Sequence, residues 1–267
     1  MNQGGRITIL IHSSKTMRLP TTDFSVRQPV FIDKAKQLSS YLQTLSQDDI
    51  ARSMHVSSSL AQATHSLIEA WLLSAAPKGA AMDSFIGDIY SGLRGSELSI
   101  GQRKYADKTL IILSGLYGVL RPLDSVRPYR LEMGYRFPNS SFKTMYKFWG
   151  SDIVEYLPKT GPIVNVSSAE YMRVITPFVD SERIITPKFL TLDTKTNRPI
   201  FTAVHAKIAR GAFARWMIIN EISNTKDFIK FNDLGYEYRP DLSSKDQPVF
   251  VCKEFGGKGL SIRTKAI

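Results

Sequence analysis

The segment spanning residues 113–134 constrains the fold more than any other part of this sequence. It follows an apolar, β-branched run at residues 109–113, which is typical of a buried strand. Gly115 and Gly118 then allow the backbone to turn or to approach another segment closely. Three arginines follow within ten residues, and prolines among them fix φ and hold the chain extended: Arg121, Pro122, Arg127, Pro128 and Arg130. The pattern predicts a stiff cationic segment that leaves the end of a strand.

The charge of this segment predicts that it binds an anion. Guanidinium groups present planar forks of donors to oxygen pairs, which suits phosphate. Residues 101–150 contain nine Lys/Arg and three Asp/Glu, a surplus of six positive charges in a chain whose formal net charge is +11. The alternative is that Arg121 and Arg130 pair with Asp124 and Glu132 in a structural network. The surplus favours anion binding over that alternative.

The rest of the chain alternates strand-like and helical patterns. Strand-like runs occupy residues 7–11, 109–113, 163–166, 184–192, 200–204 and 249–252. Helical patterns occupy residues 29–45, 142–157 and 204–222. No Pro/Ser/Gly-rich linker and no internal repeat divides the 267 residues. The prediction is one α+β domain over residues 1–267, with a mixed β-sheet core surrounded by helices and flexible ends at 1–6 and 256–267.

Residues 46–73 contain a pattern for two short helices joined by a tight polar turn. Ser46 and Asp49 have the spacing of a capping box, and residues 55–58 break the first helix before a second begins. This arrangement is the skeleton of a helix-hairpin-helix element, which contacts phosphates through backbone N–H groups. An ordinary helical hairpin packed on the core is the favoured alternative.

Cations and polar groups elsewhere are candidates for the same anion site. Lys15 lies between hydroxyl residues just past the first strand, a common place to hold a phosphate. Lys207 and Arg210 lie one turn apart on the helical pattern that follows residue 204, and Gly211 beside them permits close backbone approach. For each of these cations, the alternative interpretation is a charge on the solvated surface.

Three further polar residues are candidates for catalysis. Asp88 lies in a glycine-bounded turn, whereas Asn165 and Glu170 follow a strand directly. Capping and turn chemistry is the alternative for each.

Cysteine and histidine usage does not predict a metal site or a cofactor. The only cysteine, Cys252, lies in an apolar run and predicts a buried, inert thiol in a reducing cytosol. The four histidines have no metal-ligand spacing. No apolar run approaches the ~20 residues of a membrane span, so no membrane association is predicted.

Seven motifs occur in the order found in the YaaA family of peroxide stress proteins, which the chain resembles over about residues 7–255. The motifs are IHSSKT, FIGDIYSGL, the 113–134 segment, YKFWGSDI, NVSSAEY, HAKIARG and FNDLGYEY. The resemblance implies a cytoplasmic DNA-binding protein of the peroxide stress response, with a mixed α/β fold, a positively charged cleft and a helix-hairpin-helix element. The chain departs from the family pattern at Ser13 and Ser14, at Ala169, where relatives have an acid, and at His205.

Together these observations predict a protein that binds DNA, largely independently of sequence, through one basic cleft. The predicted DNA-binding residues are Lys15, Arg121, Arg127, Tyr129, Arg130, Lys207 and Arg210. Tyr117 and Tyr129 are predicted to stack on exposed bases. The alternative is an enzyme acting on a nucleotide or nucleobase, for which a closed pocket for one base with a shifted carboxylate pKa would be diagnostic.

Overall fold

A five-stranded sheet organises the chain. The computed structural model describes residues 5–20, 24–73 and 78–261. The strands are β1 (Thr8–His12), β2 (Thr16–Met17), β3 (Gly79–Ala80), β4 (Phe85–Ile86), β5 (Leu110–Ser114), β6 (Gly118–Leu120), β7 (Ser125–Val126), β8 (Arg136–Phe137), β9 (Lys143–Thr144), β10 (Ile163–Asn165), β11 (Ile184–Ile185), β12 (Lys188–Leu192), β13 (Pro199–Ile200), β14 (Tyr236–Tyr238) and β15 (Val249–Cys252).

Helices separate and cover these strands. They are α1 (Ile32–Gln43), α2 (Gln47–Met54), α3 (Ser58–Trp71), α4 (Ala81–Ser84), α5 (Asp88–Leu93), α6 (Ile100–Thr109), α7 (Met145–Trp149), α8 (Asp152–Tyr156), α9 (Ala169–Met172) and α10 (Ala203–Ile219). None of the helices within the described residues has the length and apolar character needed to span a bilayer.

The main sheet has the order β11-β10-β1-β5-β6, in which the first four strands are parallel and β6 is antiparallel. β1 aligns Ile9 with Val164 of β10, and Ile11 with Ile112 of β5. Nearly every residue of β1, β5 and β10 is buried, so both faces of the sheet are covered, as parallel sheets require. The carboxyl ends of β1, β5 and β10 therefore meet at one edge.

A second, four-stranded sheet has the order β13-β12-β15-β14 and packs against α10. Phe189 of β12 stacks on Phe250 of β15, and both rings contact Phe213 of α10. These aromatic contacts bury large apolar surface and fix the position of α10 against this sheet.

The predicted single domain, with a mixed β-sheet core surrounded by helices, is confirmed, and its mostly parallel main sheet makes it an α/β domain. The strand patterns at 7–11, 109–113, 163–166 and 249–252 match β1, β5, β10 and β15 to within about two residues. The predicted flexibility of residues 1–4 and 262–267 lies outside the described residues. Residues 256–261 are described, and Ser261 is buried with its hydroxyl donating to Asp88 Oδ1.

Three predicted elements differ from the structure. The run at 184–192 is two strands, β11 and β12, because Pro187 lies between them and cannot donate to a ladder. The strand predicted at 200–204 is present only at Ile200, since β13 is Pro199–Ile200 and α10 begins at Ala203. The helix predicted at 142–157 is divided into α7 and α8 by Gly150, whose φ of +50° ends a helix.

Residues 46–73 form two helices as predicted. Ser46 and Asp49 make the capping box at the start of α2, and His55 ends that helix in the left-handed conformation. Ile50 and Trp71 are buried in the main core, so the pair packs as a helical hairpin. The helix-hairpin-helix character is not confirmed.

Candidate functional site

A half-open cavity of about 400 Å³ lies at the carboxyl edge of the main sheet. Its walls come from the segment after β1, the start of α5, residues 113–134 (the arginine segment), the start of α9 and one lysine of α10. Open parallel sheets hold ligands at this edge, because strand ends and loops converge there. The histidine, lysine and carboxylate side chains that line it are His12, Lys15, Asp88, Glu132, Glu170 and Lys207.

The hydroxyls after β1 shape the cavity wall. Ser13 Oγ lies 3.0 Å from the Tyr171 hydroxyl in a buried hydrogen bond. Ser14 Oγ donates to the backbone oxygen of Ile86 at 2.6 Å and thereby holds the loop against β4. Both hydroxyls are engaged with the protein, so they support the position of Lys15.

Lys15 and Glu132 form the central ion pair of the site. Lys15 Nζ lies 3.0 Å from Glu132 Oε2, and the Glu132 side chain is 12% exposed whereas that of Lys15 is 57% exposed. Burial raises the pKa of Glu132, although Lys15 opposes the shift. Burial disfavours the charged form of Lys15, but the hydrogen bond and charge of Glu132 prevail and raise the pKa of that ammonium. The carboxyl is thus a desolvated proton acceptor beside a cation.

Arg130 supports this pair from the arginine segment. Its Nη1 donates to the backbone oxygen of Lys15 at 3.1 Å, whereas its buried Nε has no hydrogen-bond partner among the described residues. Glu132 pairs with Lys15, so the predicted structural alternative of an Arg130–Glu132 pair is not the arrangement found.

His12 presents a neutral imidazole to the cavity. The backbone N–H of Ser168 donates to His12 Nδ1 at 3.2 Å, so the neutral ring carries its proton on Nε2. Burial, assisted by the charges of Arg210 and Lys207, lowers the pKa of His12 to about 3. The Tyr171 ring lies 5.0 Å away, centroid to centroid, and holds the imidazole in place. His12 is therefore a neutral hydrogen-bond donor at physiological pH.

The candidate catalytic residues separate into two groups. Glu170 and Asp88 both line the cavity, and each already accepts one hydrogen bond, from the Gly134 N–H at 2.6 Å and the Ser261 hydroxyl at 2.9 Å respectively. Asn165 is buried. Its side-chain oxygen accepts from the Ser167 N–H at 2.9 Å, and its amide nitrogen donates to Thr186 Oγ1 at 3.2 Å. Asn165 therefore acts as a turn-forming residue beneath the cavity.

α10 contributes both of its predicted cations to this edge. Lys207 is exposed and lines the cavity. Arg210 donates to the backbone oxygen of Ser167 at 3.2 Å, and burial lowers its pKa. Lys207 and Lys15 line the same cavity, as expected of candidates for one anion site, although α10 is distant from Lys15 in the sequence.

Arg121 does not join this cavity. β6 runs antiparallel to β5 and pairs Leu120 with Ile112, so Arg121 emerges toward the opposite, amino edge of the sheet. There its Nε donates to the backbone oxygen of Asp107 at 3.0 Å. Asp124 accepts the Arg121 backbone N–H and lies 2.8 Å from Arg27 Nε. Arg121 belongs to a structural charge network, contrary to its predicted place in the cleft.

Arg127 lies apart from the cavity as well. Its Nη1 donates to the backbone oxygen of Trp71, and its guanidinium lies 5.8 Å from the centroid of that indole. The prediction that all three arginines line one basic cleft is therefore wrong, because the arginine segment passes from one sheet edge to the other.

The predicted stacking of bases on Tyr117 and Tyr129 is wrong, since both rings are buried. Tyr117 is 1% exposed and its hydroxyl accepts from Trp71 Nε1 at 2.9 Å and from the Arg127 N–H at 3.1 Å. Tyr129 is 5% exposed and hydrogen-bonds Ser114 Oγ at 2.7 Å. The two rings pack against each other with centroids 5.4 Å apart.

The charge of the cavity is mixed. Two lysines and three carboxylates line it, and Arg130 and Arg210 add two cations just behind.

The sequence analysis did not identify His12 and Glu132 as cavity residues. Their positions could have indicated it, because His12 ends the first strand and Glu132 lies two residues after Arg130. No group of three or more His, Cys, Asp or Glu in the described part of the chain could hold a metal ion.

The sequence places the chain in a known family. Residues 7–242 match the peroxide stress protein YaaA family, and this chain belongs to it. A UPF0246 protein of Salinispora tropica is 48% identical over 256 residues, covering 96% of this chain and 97% of that protein. UPF0246 proteins of Roseobacter denitrificans and Bordetella petrii are 35% and 38% identical, covering 91% and 85% of this chain and 97% and 91% of those proteins.

Proposed function

We propose that this YaaA-family protein binds DNA during the cellular response to peroxide stress and holds one nucleotide of a strand in the cavity at the carboxyl edge. The observation that carries the proposal is the convergence of Lys15, Arg130, Lys207 and Arg210, from three separate parts of the sequence, around this cavity. Cations gathered in this way neutralise phosphate, which supplies most of the affinity in sequence-independent DNA binding.

The size and polarity of the cavity favour one nucleotide over a duplex. A volume of about 400 Å³ lies within the range of sites for small organic ligands. The neutral His12 N–H and the Glu132 and Glu170 carboxylates offer a donor and acceptors to the edge of a base. Single-stranded or bulged DNA presents such an edge at lower cost than a paired duplex.

Oligonucleotide binding across a salt series tests the proposal. The logarithm of the binding constant should fall by roughly 0.7 per log unit of salt for each phosphate neutralised on a single strand, and by roughly 0.9 on a duplex. Bulged and single-stranded DNA should bind more tightly than a paired duplex of equal length.

A pair of lysine variants supplies the control. Lys207→Ala should weaken binding and reduce the salt slope by roughly 0.7 on a single strand, which is the contribution of one phosphate contact. Lys104→Ala, at an exposed position of α6, should leave both unchanged. Affinity that is flat between low and physiological salt would contradict the proposal.

The second candidate function is an enzyme acting on the held nucleotide or nucleobase. The observation that favours it is Glu132, a carboxyl whose pKa is raised by burial inside a cavity and which lies beside Lys15. Carboxyl groups whose pKa is raised are suited to general acid–base catalysis.

Product analysis separates binding from catalysis. An enzyme should release base or alter the nucleotide when bound oligonucleotide is incubated with the wild-type protein. Glu132→Gln, which keeps an acceptor oxygen at this position, should then still bind the oligonucleotide and give no product. Absence of any product from wild-type protein at saturating concentration would reject this candidate and leave the binding proposal standing.

A further inference from the structure

We propose that a second cavity, of about 350 Å³, binds the phosphate of a nucleotide at Lys36, Lys78 and Arg127. It is distinct from the cavity at the carboxyl edge and shares none of its lining residues. The proposal does not depend on the function proposed above.

The charge of the second cavity is what points to an anion. Three cations line it, and none of the described residues in its wall is acidic. The carboxyl-edge cavity, by contrast, is lined by more carboxylates than cations. Lys78 is exposed and makes no ion pair among the described residues, whereas Lys36 pairs with Asp33 at 3.0 Å. Both side chains of that pair are exposed, so the pair contributes little to stability and a phosphate can displace the carboxylate.

The wall behind these cations is rigid. Arg127 donates to the backbone oxygen of Trp71 and lies over its indole, which orients the guanidinium. The Tyr117 hydroxyl accepts from both Trp71 Nε1 and the Arg127 backbone N–H. A fork of donors held in one orientation loses little entropy on binding phosphate.

The remaining lining suits the organic part of a nucleotide. Pro29, Ile32 and Leu72 supply an apolar side, while Gln28 and Ser125 supply neutral polar groups. A phosphate against the cations would place its sugar or base on this side. A free mononucleotide and one unit of a nucleic-acid strand have this chemistry in common.

A double lysine variant tests the site. Lys36→Ala/Lys78→Ala removes two exposed cations from the cavity, and Lys104→Ala/Lys108→Ala removes the same charge from exposed positions of α6. The probes are inorganic phosphate, thymidine 5′-monophosphate and a twelve-residue oligothymidylate. Binding is followed by titration calorimetry and by the indole N–H signal of Trp71, one of three tryptophans.

The wild-type protein and the α6 variant should bind at least one of the nucleotide probes and shift the Trp71 signal. The cavity variant should bind that probe at least roughly fivefold more weakly, as expected on losing charge-assisted contacts. If the cavity variant loses affinity only for the monophosphate, the ligand of the cavity is a free nucleotide. A loss confined to the oligonucleotide, with a salt slope reduced by roughly 0.7 per lost contact, identifies a strand.

Two outcomes would overturn the proposal. One is equal binding of every probe by the cavity variant and the wild-type protein. The other is an equal loss in the α6 variant, since this would make net charge the sole cause. Thermal melting of both variants checks that each is folded.

Discussion

Gly211→Ala tests the close contact between α10 and α5 that positions the candidate site. A Cβ atom on Gly211 would lie 1.8 Å from the backbone oxygen of Ile89 and 2.7 Å from the backbone nitrogen of Leu93. The contact is reciprocal, because a Cβ on Gly92 would lie 2.0 Å from the backbone oxygen of Ile208. Cβ atoms in proteins do not approach heavy atoms closer than about 3.0 Å. The helices must therefore separate by more than an ångström to accept alanine.

The expected change in the free energy of unfolding combines two opposing effects. Alanine gains about 1 kcal/mol of helix propensity over glycine. Overpacking in a close-packed core costs about 1–3 kcal/mol and sometimes more. Here the clashing atoms are backbone atoms that cannot rotate away, so the cost should exceed that range. We expect a net loss of about 2–4 kcal/mol, or roughly 4–8 °C in melting temperature for a chain of this size.

Urea and thermal unfolding measure the effect, and Gly101→Ala is the matched control. Gly101 lies in α6, and its Cβ would meet only Ser99 Oγ at 3.9 Å. That variant should be as stable as the wild-type protein or up to about 1 kcal/mol more stable. Gly211→Ala should also weaken ligand binding at the carboxyl-edge cavity, because α10 carries Lys207. Equal stability of the two variants would refute the packing argument.

Two further predictions concern buried polar groups. Since the folded-state pKa of His12 is lowered to about 3 from 6.5, the unfolded chain binds the extra proton first, and stability falls as pH decreases below about 6.5. His12→Asn should abolish up to about 2 kcal/mol of this loss of stability at pH 5. The urea midpoints at pH 7.5 and pH 5 should therefore differ less in the variant than in the wild-type protein. An unchanged difference would contradict a buried, neutral His12. Tyr117→Phe should cost about 2–4 kcal/mol in urea unfolding, because the buried Trp71 Nε1–H and the Arg127 N–H lose their acceptor. A cost below about 1 kcal/mol would show that both donors find other partners.

Local patterns in the sequence determined much of the fold. Apolar β-branched runs identified β1, β5, β10 and β15, since strand burial depends on the residues within each run. The capping box at Ser46 identified the start of α2, because its two hydrogen bonds join residues three apart. The helical pattern of residues 204–222 predicted α10, and Gly211 was correctly interpreted as a point of close backbone approach.

The composition of the candidate site depended on the tertiary structure. Arg121, Arg127 and Arg130 look equivalent in the sequence, yet the antiparallel direction of β6 sends Arg121 to the amino edge while Arg130 reaches Lys15. The burial of Tyr117 and Tyr129 likewise follows from packing against distant helices and strands. Charge counted along the chain is therefore a poor guide to charge in a cavity. Strand direction and long-range packing determine which side chains meet, and neither is encoded within a short window of sequence.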